Sequence, residues 1–225
     1  MIKTANFGCG VDSVAGLLKY GLDSYDEIIF ADTGSENPET YQYLQWLIKD
    51  KKWPITIVKN HYGKTLYDYY YDKETYPTPV FRDCTAKFKI RPLRKYLRIK
   101  YGKKETFFSD IFIDHSEFHR MKTSDVKYQV LNYPLVNDKI NREQCIEIIK
   151  NAGFPIPIKS GCFMCPFTKT ENWAKLKLNH PDLFQKTMEL EKRGMYKDGI
   201  KKSKIKPLIT LKAKETKDLF ECSCF

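Results

Sequence analysis

The chain has 225 residues, 42% of them hydrophobic and 14% aromatic, which excludes a disordered or low-complexity chain and suits one sizeable α/β domain with an appendage. Lysine and arginine (39) outnumber aspartate and glutamate (28), giving a formal charge of +11. Nucleotides or nucleic acid are natural partners for that charge, a merely basic solvated surface being the other reading.

No stretch approaches the roughly 20 apolar residues of a membrane span, and Met1 to Phe7 lacks a long apolar core or a small-residue cleavage site. A cytoplasmic protein is the expectation. In that reducing compartment seven cysteines do not make a disulfide framework, so metal ligation or thiol chemistry is the better account of them, with free core thiols the alternative for any single one.

In chain order, residues 1–7 read as a strand, Gly8-Cys9-Gly10-Val11-Asp12-Ser13 as a glycine turn, and Val14, Leu17 and Leu18 as the apolar face of a helix. Glu27 to Asp32 reads as a buried strand that Thr33-Gly34 ends. A helix follows, with Asn37 as its cap, Pro38 at its first position and Tyr41, Leu44, Leu47 and Ile48 on one face. Pro54 to Val58 and Phe107 to Ile113 are further strands, separated by an amphipathic helix through Leu93, Leu97 and Tyr101. Strands alternating with helices predict a Rossmann-like α/β fold with a parallel sheet.

The second half reads as helical. Asn141 and Gln144 fit a capping box opening a helix that runs to Gly153, with Cys145 in its first turn. Pro155 and Pro157 predict an extended approach to Cys162 and Cys165, after which Trp173 to Leu178 and Pro181 to Arg193 read as helices. The predicted organisation is a nucleotide-binding domain over 1–135 and a helical region over 136–225 with a lysine-rich tail. Tyr67, Tyr69, Tyr70 and Tyr71 either stack bases or pack a helix, the second being favoured. The four histidines show no paired metal spacing.

A glycine turn between a first strand and a helix aims backbone N–H groups and the positive helix end at an anion. Here it lies where open α/β sheets bind ligands, and Asp32-Thr33-Gly34 ends the next strand. Neither the Walker spacing nor the G-x-G-x-x-G pattern is present. Cys162-x-x-Cys165 holds two sulfurs close enough to share one metal. Cys84 before a helix and Cys145 in a helix first turn, where the helix dipole favours thiolate, complete a set of four that suits zinc or a 4Fe-4S cluster.

These segments resemble the PP-loop ATP pyrophosphatases and phosphoadenosine phosphosulfate (PAPS) reductases, which share the adenine nucleotide alpha hydrolase fold. Gly8 to Ser13 is similar to their SGGxDS loop, with Gly8 in place of the serine and Cys9 in place of the second glycine. Asp32-Thr33-Gly34 with Asn37 to Tyr41 resembles the reductase DTG…PET segment. Cys84 to Leu93, Asp114 to Met121, Tyr133-Pro134-Leu135, Arg142 to Cys145, Lys159 to Phe167 and Trp173 resemble, in the same order, segments of iron–sulfur phage and bacterial members.

The resemblance implies ATP or PAPS, with Mg²⁺, on Gly8, Cys9, Gly10, Val11, Asp12 and Ser13, with Asp32, Thr33 and Gly34 near the nucleoside. Lys89, Arg91 and Arg120 are candidates for remaining anionic groups. It also implies an iron–sulfur cluster rather than zinc on Cys84, Cys145, Cys162 and Cys165. Asp12 and Cys222 are the candidate catalytic residues, since Glu221-Cys222 resembles the reductase ECG tail, although Ser223 replaces its glycine. The expected activity is adenylating sulfur transfer to a nucleic acid such as tRNA or DNA, served by a sulfur donor. Alternatives are a PAPS reductase using a thioredoxin-like reductant, and a non-catalytic zinc protein that binds nucleic acid; a homodimer is one open assembly.

Overall fold

The computed structural model describes residues 1–77, 83–197 and 200–201. Its framework is a five-stranded sheet in the order β3-β2-β1-β4-β5, every pair parallel: β1 (Ile2–Phe7), β2 (Glu27–Asp32), β3 (Ile55–Lys59), β4 (Phe107–Ile111) and β5 (Gln129–Asn132). The Rossmann-like α/β class expected from alternation is the one observed. Pro54 stays outside β3, since proline has no N–H for a ladder. β4 stops two residues short of the predicted end, and Phe112 and Ile113 are buried beyond it.

The helices are α1 (Val11–Tyr20), α2 (Pro38–Lys49), α3 (Leu66–Asp72), α4 (Asp83–Thr85), α5 (Arg91–Tyr101), α6 (Pro134–Asn137), α7 (Arg142–Asn151), α8 (Thr170–Asn179) and α9 (Pro181–Met195); a short pair, β6 (Tyr196–Lys197) and β7 (Ile200–Lys201), follows. Two compact units interleave along the chain. The first takes residues 1–32, 36–60 and 89–160; the second takes 33–35, 61–88 and 161 onward.

In the first unit, side chains alternate across the strands. Ala5 and Phe7 of β1 with Ile28 and Phe30 of β2 form one core with Val14 and Leu17 of α1, Leu44 and Leu47 of α2, and Ile149 of α7. Ile29, Val58 and Phe107 meet Leu93 and Leu97 of α5 in a second core. Helix α7, grouped with the C-terminal region on sequence, thus belongs to the sheet's own unit. Its start is the predicted capping box: Asn141 Oδ1 accepts from Gln144 N at 3.0 Å, and Gln144 Oε1 accepts from Asn141 N at 2.9 Å.

The second unit packs Leu66, Tyr69 and Tyr70 of α3 with Phe88, Met164 and Trp173. The tyrosine run is therefore largely helix packing: Tyr69 and Tyr70 are buried, and Tyr70 OH donates to Asp83 Oδ1 at 2.6 Å. Among the described residues no helix is long and apolar enough to cross a membrane.

Candidate functional site

The strand order reverses at β1, whose neighbours are β2 on one side and β4 on the other. Open sheets leave a ligand crevice beyond the carboxyl ends of the strands at such a point. Two segments of the first unit enter it: residues 8–13 after β1 and residues 112–117 after β4.

The first segment is the glycine turn. Cys9 holds φ at 56°, the left-handed region that favours glycine, which gives a conformational reason for the glycine this position has in the resembling loop. Its side chain does not fill the turn's mouth. Cys9 is 1% exposed, packs in the α1-side core, and its thiol donates to Thr40 O at 3.6 Å. Burial, with Glu36 adding to it, pushes that thiol's pKa up to about 12, so Cys9 is a neutral packing group.

Gly10 is the N-cap of α1 and supplies no side-chain acceptor to the first turn. Ser13 Oγ accepts from Gly10 N at 3.1 Å and donates to Gly10 O at 3.0 Å, which fixes the turn's shape. The intrahelical ladder begins with Val14 N on Gly10 O, so the N–H groups of Val11, Asp12 and Ser13 have no acceptor within the helix. Gly16, one turn further, lets the helix lie directly on the Phe112 ring: a Cβ there would stand 2.8 Å from the ring's Cγ.

The second segment contributes carboxylates. Asp114 is 4% exposed and caps the turn His115–Arg120, its Oδ1 accepting from Ser116 N at 2.8 Å. Asp114, Glu117 and Asp12 each offer an oxygen, all within 4.8 Å of one another. Asp12 also receives the Arg142 guanidinium at 2.5 Å, 130 residues away in the chain. Desolvation raises the Asp12 pKa most; Arg142 opposes it, and the charges of Asp114 and Glu117 reinforce it.

Of the predicted cationic residues, Arg120 pairs with Glu117, Lys89 pairs with the buried Glu36 at 3.1 Å, and Arg91 is an exposed first residue of α5. Asp32 Oδ1 accepts from Tyr41 OH at 2.7 Å in the first unit. Thr33 and Gly34 belong to the second, where Thr33 O accepts from Leu66 N at 2.8 Å and Gly34 has φ 68°.

The four predicted ligand cysteines are divided between the units. Cys84, Cys162 and Cys165 lie in the second, each half-buried; Cys162 Sγ is 3.5 Å from Thr33 Oγ1, and Cys165 N donates to Cys162 O at 3.0 Å. Cys145 lies in the first unit's core, 0% exposed. Burial, then Asp12 and Asp114, push its pKa up to about 12, so desolvation overrides the helix-start effect expected to favour its thiolate. Among the described residues the three-group set with ligand atoms within 4.8 Å is the carboxylate one. Cys222 lies outside the described residues.

Asp114, Glu117 and Arg142 were not picked out as site residues on sequence. The available signal was position: Asp114 lies just beyond the end of the strand across the reversal point from the glycine turn, where open sheets leave their ligand crevice.

No known protein-family profile matches the chain. Over 212 residues, 87% of its length, it is 27% identical to an uncharacterized protein of Methanocaldococcus jannaschii, and it spans about half (48%) of that relative. Among solved structures, a PAPS reductase from Candida auris, crystallised as a phosphate complex, is similar with a TM-score of 0.48 and 11% identity, over 70% of this chain and 75% of that one. The class is set by the sheet itself: an open, all-parallel α/β unit whose crevice holds helix-start amides and a carboxylate trio.

Proposed function

We propose that the protein is an adenine-nucleotide-dependent enzyme that adenylates an acceptor and passes sulfur to it. The observation that carries this reading is the meeting, at one reversal point, of three first-turn amides of α1 with Asp12, Asp114 and Glu117. Amides suit phosphate oxygens, and carboxylate oxygens suit a hard divalent cation.

The donor set fits Mg²⁺, which would sit on Asp12, Asp114 and Glu117 and supply charge neutralisation for phosphate oxygens. The N–H groups of Val11 to Ser13 hold and orient the nucleotide phosphates. Arg142 keeps Asp12 turned toward its two partner carboxylates. An acceptor oxygen attacks the α-phosphorus, forming an O–P bond as the bond to pyrophosphate breaks; a sulfur nucleophile then forms a C–S bond at the acceptor carbon as AMP departs with the oxygen. The chain's part is positioning and charge stabilisation by groups fixed beforehand. The charge of +11 supports a polyanionic acceptor such as tRNA or DNA.

Cys9 puts a side chain where the resembling loop has glycine, but that side chain is turned into the core and so does not stand between the turn's backbone and a nucleotide. The test is titration calorimetry with ATP and MgCl₂, followed by a pyrophosphate-release assay. Binding of ATP that Asp12→Asn weakens at least tenfold supports the proposal. Absence of ATP binding, or sulfite release from PAPS in place of pyrophosphate release from ATP, rejects it.

A further inference from the structure

Immediately beyond Glu117 of the carboxylate trio, the chain of the first unit runs through an exposed turn, Phe118-His119-Arg120-Met121-Lys122. Phe118 is 59% and Met121 42% exposed, and no acidic residue occurs from 118 to 124. The imidazoles of His115 and His119 stand with ring centroids 6.3 and 6.1 Å from the Phe118 ring without covering it. One exposed apolar side chain is ordinary; an aromatic ring and a thioether displayed on one turn among cations suit a partner that is both flat and negatively charged.

The turn is fixed at both ends. At its start Ser116 N donates to Asp114 Oδ1 at 2.8 Å and Glu117 N to Asp114 O at 3.0 Å. At its end Met121 N donates to Phe118 O at 3.0 Å, and Lys122 N donates at 2.9 Å to the hydroxyl of the buried Tyr133, which in turn donates to Lys122 O at 2.9 Å. His115 N donates to Ile140 O at 2.7 Å, tying the turn to a segment that carries the exposed Lys139 and whose Asp138 accepts from Tyr20 OH at 2.8 Å. Arg120 pairs with Glu117 through Nη1, and a guanidinium has further N–H groups to offer an anion. A ring held out by a fixed backbone loses little freedom when a flat group stacks on it, so the display is set before a ligand arrives.

We propose that this turn binds single-stranded nucleic acid, with one base stacked on Phe118 and the flanking phosphates on Arg120 and Lys122. A single strand is required because the ring's face is open only to a base that is itself unstacked. A second protein surface would also cover Phe118 and Met121, but cations without a carboxylate after Glu117, in a chain of charge +11, favour a polyanion. The inference deepens the acceptor reading above and rests on it for its purpose, since a strand held here lies next to the carboxylates proposed to hold the cation; the binding itself needs no adenine nucleotide.

The experiment is fluorescence anisotropy of the full chain with a labelled oligothymidylate of about twelve nucleotides, without ATP or Mg²⁺, and with an abasic strand of equal length and charge as the probe that lacks bases. The oligothymidylate binds at least about fivefold more tightly than the abasic strand, the low end of what one base–aromatic stack contributes. Phe118→Ala weakens the oligothymidylate by at least about fivefold, leaves the abasic strand and the thermal midpoint unchanged, and Phe118→Trp restores the binding. Lys122→Gln weakens both strands alike and lowers the salt slope by about one. No binding of the oligothymidylate at low salt, equal affinity for the two strands, or a Phe118→Ala effect that is nil or equal on both strands overturns the assignment. So does a dimer in sedimentation that Phe118→Ala dissociates without changing oligothymidylate binding, which makes the turn a contact between copies. Because ATP is absent throughout, failure here leaves the nucleotide proposal standing, and failure of ATP binding leaves strand binding standing.

Discussion

Replacing Gly16 by alanine tests how tightly α1 is seated on the reversal point. At an ordinary helix interior this change stabilises by about 1 kcal/mol, because glycine there carries excess backbone entropy. At Gly16 the new methyl would stand 2.8 Å from Phe112 Cγ and closer still to Cδ1 and Cε1, inside the separation that real Cβ atoms keep. The ring has little room to yield: Phe112 is 8% exposed and set edge-on against Tyr25, with centroids 6.4 Å apart. Overpacking of this kind costs about 1–3 kcal/mol, and an unyielding ring puts the cost near the upper end, so the net expectation is a loss of about 2 kcal/mol. Phe112→Val removes the two closest ring atoms, and in that background Gly16→Ala becomes neutral or stabilising by up to ~1 kcal/mol. Urea unfolding followed by circular dichroism gives all four corners of the cycle, with a coupling of about 2–3 kcal/mol expected. A more stable Gly16→Ala protein, or a coupling under about 0.5 kcal/mol, refutes the close seating.

The raised Cys145 pKa implies an alkaline weakness. Its thiol keeps its proton in the fold up to about 12 while the unfolded chain loses it near a thiol's ordinary 9.0, so stability is intact below pH 9 and falls between 9 and 12. At pH 10 this thiol's share of the loss is about 1.4 kcal/mol relative to pH 8, and Cys145→Ala should flatten the stability difference between those two pH values by that amount. Mass-spectrometric mapping after brief iodoacetamide treatment should leave Cys9 and Cys145 unlabelled in the folded protein, since both are buried and protonated; early labelling of either contradicts the core placement. Cys9→Gly trades relief of the left-handed backbone against lost packing and should fall within about 1 kcal/mol of wild type, whereas the β-branched Cys9→Val should lose more than about 2 kcal/mol; the reverse order in thermal melts would be decisive against the φ assignment. Asn141→Ala removes the oxygen that caps α7 and should cost about 1 kcal/mol by urea midpoint, with no change counting against the capping box.

What the sequence disclosed was local. Alternation of strand and helix, Pro38 at a helix start and the Asn141–Gln144 box each depend on neighbours within a few residues, and each appears where the spacing put it. β5 escaped notice because Gln129-Val130-Leu131-Asn132 turns its buried glutamine toward Ser109, so the strand lacks the usual apolar signature. The carboxylate trio joins residue 12 to 114 and 117, and the Arg142 pair joins 12 to 142; no window along the chain contains either. Cys9 and Cys145 illustrate a second limit. Spacing can name a thiol, but only packing decides whether it faces solvent, ligand or core.

The central place of β1 also fixes an order of assembly during synthesis. β2 and β3 are complete at residue 59, yet the other flank of β1 waits for β4, which ends at residue 111. At a ribosomal pace of about 5–20 residues per second, that leaves a nascent three-strand sheet with an open inner edge for roughly 3–10 s. An interval of that length is where chaperone dependence and heat-sensitive expression would originate in this chain, well before any chemistry at the crevice is in question.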